Sequence, residues 1–272
     1  MKSLSTKRAA LLANIAAHGS CAVAYSGGVD SAVVAKAAHQ ALGERAVAVT
    51  GASASLAAGE LEQAEEIARL IGIRHEVIRT DEFQQPEYLR NAPDRCYHCK
   101  TELYSQLERV LPELGVRVIL NGANADDAGD YRPGMAAAAE HAVHSPLAEC
   151  GITKAEVREL AAKWNLPVWD KPASPCLSSR VAYGEEVTPE RLAMVDAAEQ
   201  FLREKGLKVC RVRYHRGDLA RIEVPPEELL PLCEPTTRQE LAAELRRLGF
   251  KFVTIDLEGF RSGSLNQLLQ IQ

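Results

Sequence analysis

Two sets of residues in this sequence have the types and spacing to do chemistry. The first is Ser26-Gly27-Gly28-Val29-Asp30-Ser31, set between an apolar alternating stretch at 21–25 and a helix-patterned run at 32–42. Adjacent glycines let the backbone take positive φ without a Cβ clash, so successive N–H groups can turn inward around an anion. A helix that starts directly after the loop adds unpaired N–H groups and the positive end of its dipole. Ser26 and Ser31 supply hydroxyl donors, and Asp30 is placed either to cap the helix or to help hold Mg²⁺. The plain alternative is a tight strand-to-helix turn, because Gly-Gly turns are common. The second set is made of thiols: Cys96-Tyr97-His98-Cys99, and Cys176 in a polar stretch after Pro175. Cys-x-x-Cys at a helix start puts both sulfurs on one side of the first turn, where the dipole favours thiolate. Such a pair serves as half a zinc site, a redox dithiol, two iron–sulfur ligands or two buried cysteines. The chain has no second Cys-x-x-Cys to complete a zinc site, and His98 points away from the cysteine face. Lys171 and Arg180 flank Cys176 in sequence and can supply cations to a thiolate, although an ordinary loop cysteine fits the pattern as well.

These residues need elements to hold them. The stretches at 46–50 and 75–79 read as strands, with a helix at 60–71 between them and a fourth strand at 116–120. Strands alternating with helices at this spacing imply βαβ units, a parallel sheet and right-handed crossovers. In such sheets ligands bind beyond the carboxyl ends of the strands, so the loops after Tyr25, Thr50, Arg79 and Asn121 should face one cleft. The third of those loops, 80–95, is polar and holds Pro86 and Pro93; a helix follows at 97–110. The fourth begins Asn121-Gly122-Ala123-Asn124-Ala125-Asp126-Asp127 and runs through Asp130 to Gly134. A turn of this composition is usually just solvated; beside a phosphate loop, Gly122, Asn124 and Asp130 become candidates for ribose or Mg²⁺ contacts. A helix at 153–164 opens on Thr153-x-x-Glu156, a capping box.

The texture changes after Trp164. Residues 166–175 carry three prolines and one lysine and read as a connector. Beyond Cys176 the pattern is helix 189–205, strand 207–214, strand 219–224, helix 236–248, strand 252–257. That order suggests a small α+β domain with a split βαβ sheet, and a division of the chain into 1–168 and 169–272. Arg211 and Arg213 share one face of their strand. Two guanidiniums together suit a phosphate or carboxylate, whereas the simpler reading pairs them with Glu223. Arg261-Ser262-Gly263 reads as a turn, with a further anion contact as the alternative.

Composition limits the class. With 272 residues, 46% hydrophobic and 25% charged, the chain can bury a sizeable core as one large or two modest domains. A net charge of −5 argues against a surface dedicated to bulk nucleic acid. Residues 1–17 start with Lys2, Lys7 and Arg8, but Asn14 interrupts the apolar run, so they read as an amphipathic helix rather than a leader. No stretch is long enough to cross a membrane. Seven cysteines, an odd number spread over this length, do not make a disulfide framework and fit a reducing cytoplasm.

Ser-Gly-Gly-x-Asp-Ser between strand and helix resembles the PP-loop of the ATP pyrophosphatase superfamily; it lacks both the Gly-Lys-Ser/Thr ending of a Walker A loop and the Gly-x-Gly-x-x-Gly of a dinucleotide fold. Together with Gly129-Asp130-Tyr131-Arg132-Pro133-Gly134, Ala173-Ser174-Pro175-Cys176-Leu177-Ser178-Ser179-Arg180 and the segments 209–224 and 256–263, the pattern is similar to LarE-type sulfur transferases over nearly the whole chain. The resemblance implies a PP-loop ATP-binding domain followed by a sulfur-transfer domain, an enzyme of nickel-pincer cofactor biosynthesis. ATP would adenylate a carboxylate of a pyridinium biscarboxylate mononucleotide, and a sulfur nucleophile would then displace AMP to leave a thiocarboxylate. The implied ATP and Mg²⁺ residues are Ser26, Gly27, Gly28, Asp30, Ser31, Gly122, Asn124 and Asp130. Cys176, Lys171 and Arg180 would serve the reacting sulfur with Asp30 on the nucleotide, and Arg211 and Arg213 would take the substrate phosphate.

Members of this family differ in their sulfur source. Some sacrifice a loop cysteine, which becomes dehydroalanine; others hold a 4Fe-4S cluster on three cysteines and carry an additional sulfide on the fourth iron. Cys96, Cys99 and Cys176 match the second pattern, which is preferred here over sacrifice of Cys176. Cys21, Cys150, Cys210 and Cys233 are then expected as packing residues. A tRNA thiolase is the alternative enzyme, and an ATP-binding regulatory module the alternative without turnover. The expected partners are a small-molecule nucleotide, an unidentified sulfide donor and further copies of the chain in a homo-oligomer, with neither a membrane nor a nucleic acid.

Overall fold

The computed structural model describes residues 3–129, 133–172, 174–261, 264 and 265. The chain forms two compact units, Met1–Glu82 with Cys96–Ser174, and Phe83–Arg95 with Pro175–Gln272.

In the first unit the order is α1 (Leu4–Ala17), β1 (Cys21–Ala24), α2 (Val29–Leu42), β2 (Ala46–Ala52), α3 (Glu60–Ile71) and β3 (Arg74–Arg79). The strands pair in parallel in the order β3-β2-β1. Among the helices that follow, α4 (Pro86–Leu89) falls in the second unit and α5 (Arg95–Leu114) leads to β4 (Val118–Leu120), which pairs in parallel on the other side of β1. α6 (Pro133–Glu140), α7 (Pro146–Glu149) and α8 (Lys154–Lys163) complete the unit. Successive strand residues face opposite ways, and the burial obeys that rule. Cys21, Val23 and Tyr25 lie in one apolar cluster with Leu11 and Ile15 of α1, the buried face of α2, and residues of α3 and α8. Ala22, Val47 and Val49 lie in another with Tyr104 and Leu107 of α5 and Ala137 and Ala138 of α6. The result is a parallel sheet covered on both faces, the α/β architecture the alternating pattern predicted. Strand order reverses between β1 and β4, and the loops at such a point diverge to leave room for a ligand.

The capping box at the start of α8 forms as read: Thr153 and Glu156 exchange hydrogen bonds through side chain and backbone. Lys7 of α1 adds an ion pair to Glu156 at 2.7 Å. This cation, with the Thr153 backbone donor behind it, holds the Glu156 carboxyl below the usual carboxylate range.

The second unit holds α9 (Pro189–Glu204), β5 (Arg211–His215), β6 (Leu219–Glu223), α10 (Leu229–Cys233), α11 (Pro235–Arg247) and β7 (Phe252–Ile255). Its sheet is mixed: β5 and β6 form an antiparallel hairpin, and β6 pairs in parallel with β7. The order β5-β6-β7 corrects the split βαβ expectation, because β6 and β7 are direct neighbours and no strand lies between them. The segment 80–95 is more than a polar loop. Tyr88 and Asn91 are fully buried in the second unit, where Asn91 donates to the carbonyls of Val181 and Ala182 at 3.2 and 2.8 Å. Its prolines mark a helix start and a turn, while its buried residues supply part of the second unit's framework.

Candidate active site

The nucleotide loop leaves β1 through Tyr25, whose N–H is held by the Val49 carbonyl at 2.8 Å and whose carbonyl accepts from the Thr50 hydroxyl at 2.9 Å. Burial pushes the Tyr25 phenol above its ordinary range; its hydroxyl donates to the Ala64 carbonyl. Only the first glycine takes the left-handed conformation: Gly27 has φ +69°, and a Cβ there would meet the Ala64 Cβ at 2.9 Å. Gly28 is extended, φ −76° and ψ 160°, and occupies the N-cap of α2. The pair of glycines thus divides the labour, one turning the chain and the other leaving room at the helix start. Ser31 Oγ ties the loop together, donating to the Gly28 carbonyl at 3.1 Å, accepting from the Ser26 N–H at 3.2 Å and lying 3.2 Å from Ser26 Oγ. The first N–H groups of α2 have no intrahelical acceptor and carry the positive end of the dipole.

Asp30 does not cap the helix. It sits in the first turn of α2, where its carboxylate accepts from Asn124 Nδ2 at 3.2 Å and from Lys154 Nζ at 2.5 Å. Asn124 and Lys154 are themselves linked: the Asp126 N–H donates to Asn124 Oδ1 at 3.0 Å, and Asp126 Oδ2 accepts the Lys154 N–H at 2.8 Å. Gly122 is required at its position by contact alone, since a Cβ there would lie 2.8 Å from the Ser31 nitrogen and 3.1 Å from Asp30 carbon atoms. The structure therefore brings Ser26, Gly27, Gly28, Asp30, Ser31, Gly122 and Asn124 together around the end of α2. Asp130 lies outside the described residues, as do Ser262 and Gly263. Sequence reasoning missed Lys154. Its only signal was its place directly after the capping threonine, where a cation opposes the α8 dipole and so needs a nearby anion such as Asp30.

The thiols are distributed by environment. Cys96 is exposed and Cys99 half-buried, one turn apart at the start of α5, and Cys176 is exposed. Cys21 and Cys210 are buried packing residues as expected, and burial pushes their thiols up to about 12 and about 11. Cys150 is partly buried against the core of the first unit. Cys233 is exposed at the end of α10, which corrects the expectation that it packs. Among the described residues no three His, Cys, Asp or Glu side chains are already gathered as a metal site.

The Cys176 loop is built from buried polar contacts of the second unit. Arg180 is 2% exposed and pairs with Glu199, 1% exposed, through Nε at 3.0 Å; its Nη1 donates to the carbonyls of Pro175 and Cys176, the latter at 3.1 Å. Arg180 therefore grips the backbone that carries the thiol. Tyr88 and Ser178 share a hydroxyl hydrogen bond of 2.6 Å, and Arg95 Nη1 donates to the Ser178 carbonyl at 2.7 Å. Lys171, in the first unit, bonds Glu60 at 2.7 Å and also Gln63.

Arg213 is held by Glu223 at 2.8 Å in a buried pair, and also donates to the Ser179 carbonyl and to Ser264 Oγ. Arg211 lies across the face of Phe260, with its guanidinium carbon 5.4 Å from the ring centroid. Burial and the neighbouring Arg180 draw its affinity for a proton down, and its Nη1 donates to the Cys210 carbonyl at 2.7 Å. Of the two arginines, Arg213 is the one that satisfies the Glu223 pairing read from the sequence.

Residues 8–144 match the asparagine synthase family, half of the chain. A pyridinium-3,5-bisthiocarboxylic acid mononucleotide synthase of Lactiplantibacillus plantarum is 37% identical over 99% of this chain and 97% of its own length. The chain belongs to the LarE-type sulfur transferases. It is accordingly an ATP-dependent enzyme with a PP-loop domain. An uncharacterized protein of Synechocystis is 49% identical over 91% of this chain and 92% of its own. A tRNA-specific 2-thiouridylase of Xanthobacter autotrophicus is 31% identical, but over only 56% of this chain and 49% of its own. No helix among the described residues of this LarE-type chain is long and apolar enough to cross a membrane.

Proposed function

We propose that this LarE-type enzyme uses ATP to convert a carboxylate of pyridinium biscarboxylic acid mononucleotide to a thiocarboxylate. The observation that carries the reading is the full-length similarity to a synthase of the corresponding bisthiocarboxylic nucleotide. A carboxylate is a poor electrophile until one oxygen becomes a leaving group. Its oxygen attacks the α-phosphorus of ATP, the α–β bond breaks, and pyrophosphate leaves. The sulfur nucleophile then forms the C–S bond as the C–O bond to AMP breaks. The N–H groups at the start of α2, with Ser26, Gly27, Gly28 and Ser31, hold the phosphates in an orientation fixed before the reaction. Asp30, Asn124 and Asp130 serve Mg²⁺ and ribose. Gly122 leaves the cradle its space. When bound, Mg²⁺ neutralises charge on the departing pyrophosphate.

For the sulfur source, Cys96, Cys99 and Cys176 are the residues that would hold a 4Fe-4S cluster. They fit it in chemistry and access: three thiols, two exposed and one half-buried, two of them on one face of a helical turn. The cluster, when bound, supplies sulfide as the nucleophile. Arg180 fixes the Cys176 backbone, and Lys171 serves the same end of the site through the connector. Arg211 and Arg213 are assigned to the substrate phosphate. A cytoplasmic location and a homo-oligomer complete the proposal.

Anaerobic reconstitution with iron and sulfide, followed by assay with ATP and the pyridinium nucleotide, tests it. The expected result is brown protein that releases pyrophosphate only with the nucleotide and forms thiocarboxylate over many turnovers. Full iron binding after replacement of all three cysteines refutes the ligand set. Cys176 lighter by the elements of H₂S after one turnover refutes the cluster route in favour of sacrifice, and thiolation of tRNA without activity on the nucleotide refutes the substrate.

A further inference from the structure

The three residues Glu60, Gln63 and Ala64 lie on one face of α3, since positions three and four apart on a helix are neighbours. Ala64 faces the nucleotide loop: its Cβ leaves no room for a side chain at Gly27, and its carbonyl accepts from Tyr25. Glu60, one turn earlier, and Gln63, directly before Ala64, bond the connector. Glu60 Oε2 pairs with Lys171 Nζ at 2.7 Å, Glu60 Oε1 accepts from Ser174 Oγ at 3.2 Å, and Gln63 Oε1 accepts from the same Lys171 ammonium. The side chains of Lys171 and Glu60 are 17% and 23% exposed, so solvent screens this pair less than an open surface pair. From the other side Arg158 of α8 donates to the carbonyls of Trp169 and Lys171 at 2.8 and 3.0 Å. The connector is thus clamped at its backbone by α8 and at its side chains by α3. Cys176 follows Ser174 by two residues in the chain.

We propose that Glu60 and Gln63 form a latch that holds the connector on α3, and that Glu60 is a positioning residue for sulfur delivery. One helix face then serves as the reference for both the nucleotide loop, through Ala64, and the connector, through Lys171 and Ser174. Lys171 acts through its tether to Glu60 rather than by donating a proton. The inference rests on the sulfur-transfer function proposed above. Its consequence is specific: loosening the latch leaves adenylation intact and lets the adenylate go to water instead of sulfur.

The test follows two products in the reconstituted enzyme, pyrophosphate and thiocarboxylate. In Glu60→Gln, the thiocarboxylate formed per pyrophosphate should fall by about tenfold, the scale of one shielded charge-assisted hydrogen bond. The KM for ATP and the rate of pyrophosphate release should stay within about twofold of wild type, since the Glu60 carboxylate bonds the connector at Lys171 and Ser174. An unchanged ratio in Glu60→Gln, or a parallel fall of both products, overturns the latch. If the wild-type protein releases no pyrophosphate with the pyridinium nucleotide, the function fails and the latch is judged by hydrogen exchange alone. Peptides covering residues 166–174 should then exchange about tenfold faster in Glu60→Gln, with those of the nucleotide loop unchanged; equal exchange in both segments overturns it.

Discussion

Gly122→Ala should damage ATP binding and the fold of the first unit together. Gly122 does not need a left-handed conformation, so the whole effect comes from contact. An added Cβ would lie 2.8 Å from the Ser31 nitrogen and 3.1 Å from the Asp30 carbonyl carbon and Cβ. An ordinary carbon contact is about 3.5 Å, so the overlap is several tenths of an ångström against atoms of the helix start itself. Helix backbone cannot rotate away as a side chain can, and overpacking of this kind costs about 1–3 kcal/mol. Taking about 2 kcal/mol, the thermal midpoint should fall by about 4–8 °C. The same displacement separates the loop after β4 from Asp30, and the KM for ATP should rise about tenfold or more, each tenfold corresponding to about 1.4 kcal/mol. Thermal unfolding and nucleotide-dependent pyrophosphate release read these two effects. Gly27→Ala provides the contrast: its new Cβ meets the Ala64 side chain, so Ala64→Gly should restore part of its loss. No truncation relieves Gly122→Ala. Wild-type KM and wild-type stability in Gly122→Ala would refute the reasoning.

The remaining expectations concern charge and thiols. Lys154→Met should raise the KM for ATP about tenfold while Asp30→Ala lowers pyrophosphate release about a hundredfold, because Lys154 orients the Asp30 carboxylate that is proposed to serve Mg²⁺; steady-state kinetics separate the two. Glu199→Gln leaves Arg180 buried without its counter-charge and should cost about 3–5 kcal/mol in denaturant unfolding of the second unit. Native alkylation followed by peptide mass spectrometry should label Cys96, Cys176 and Cys233 well before Cys21 and Cys210, whose burial keeps them as thiols. Glu156 is held below its ordinary range by Lys7, so it contributes stability that is fully present above its unfolded value and is lost as pH falls through its folded value. Acid unfolding curves should therefore show less loss below about pH 4.5 in Glu156→Gln than in wild type.

What could be read in advance was whatever the chain states within a few residues. The phosphate loop is such a statement, because Ser26 to Ser31 form a continuous strand–loop–helix junction whose backbone depends on its own glycines. The capping box at Thr153 and Glu156 is another, and so is the shared helical face of Cys96 and Cys99. The alternation of strand and helix patterns likewise gave the parallel sheet, since period and spacing suffice for it. The reading failed where a local pattern has two tertiary solutions. Arg211 and Arg213 look equivalent along β5, but the register that puts Glu223 opposite Arg211 also lets it reach Arg213, and it is Arg213 that pairs with it while Arg211 lies on Phe260. Cys233 has the same composition signal as Cys210, yet the end of α10 leaves it outside the core.

By itself, then, the amino-acid sequence determined that this LarE-type chain carries a PP-loop at the end of β1, and where its seven cysteines stand along the chain. Only the tertiary structure decided what surrounds them. Asn124 and Lys154 reach Asp30 across 94 and 124 residues, and Lys171 reaches Glu60 across 111. Such pairs are invisible along the chain, because a charge on a helix surface is equally well satisfied by water until the packing of that helix excludes it. The parallel sheet supplies that packing: it delivers loops distant in sequence to one edge, where Gly27 and Gly122 have no side chain to hold α3 and β4 away from the start of α2.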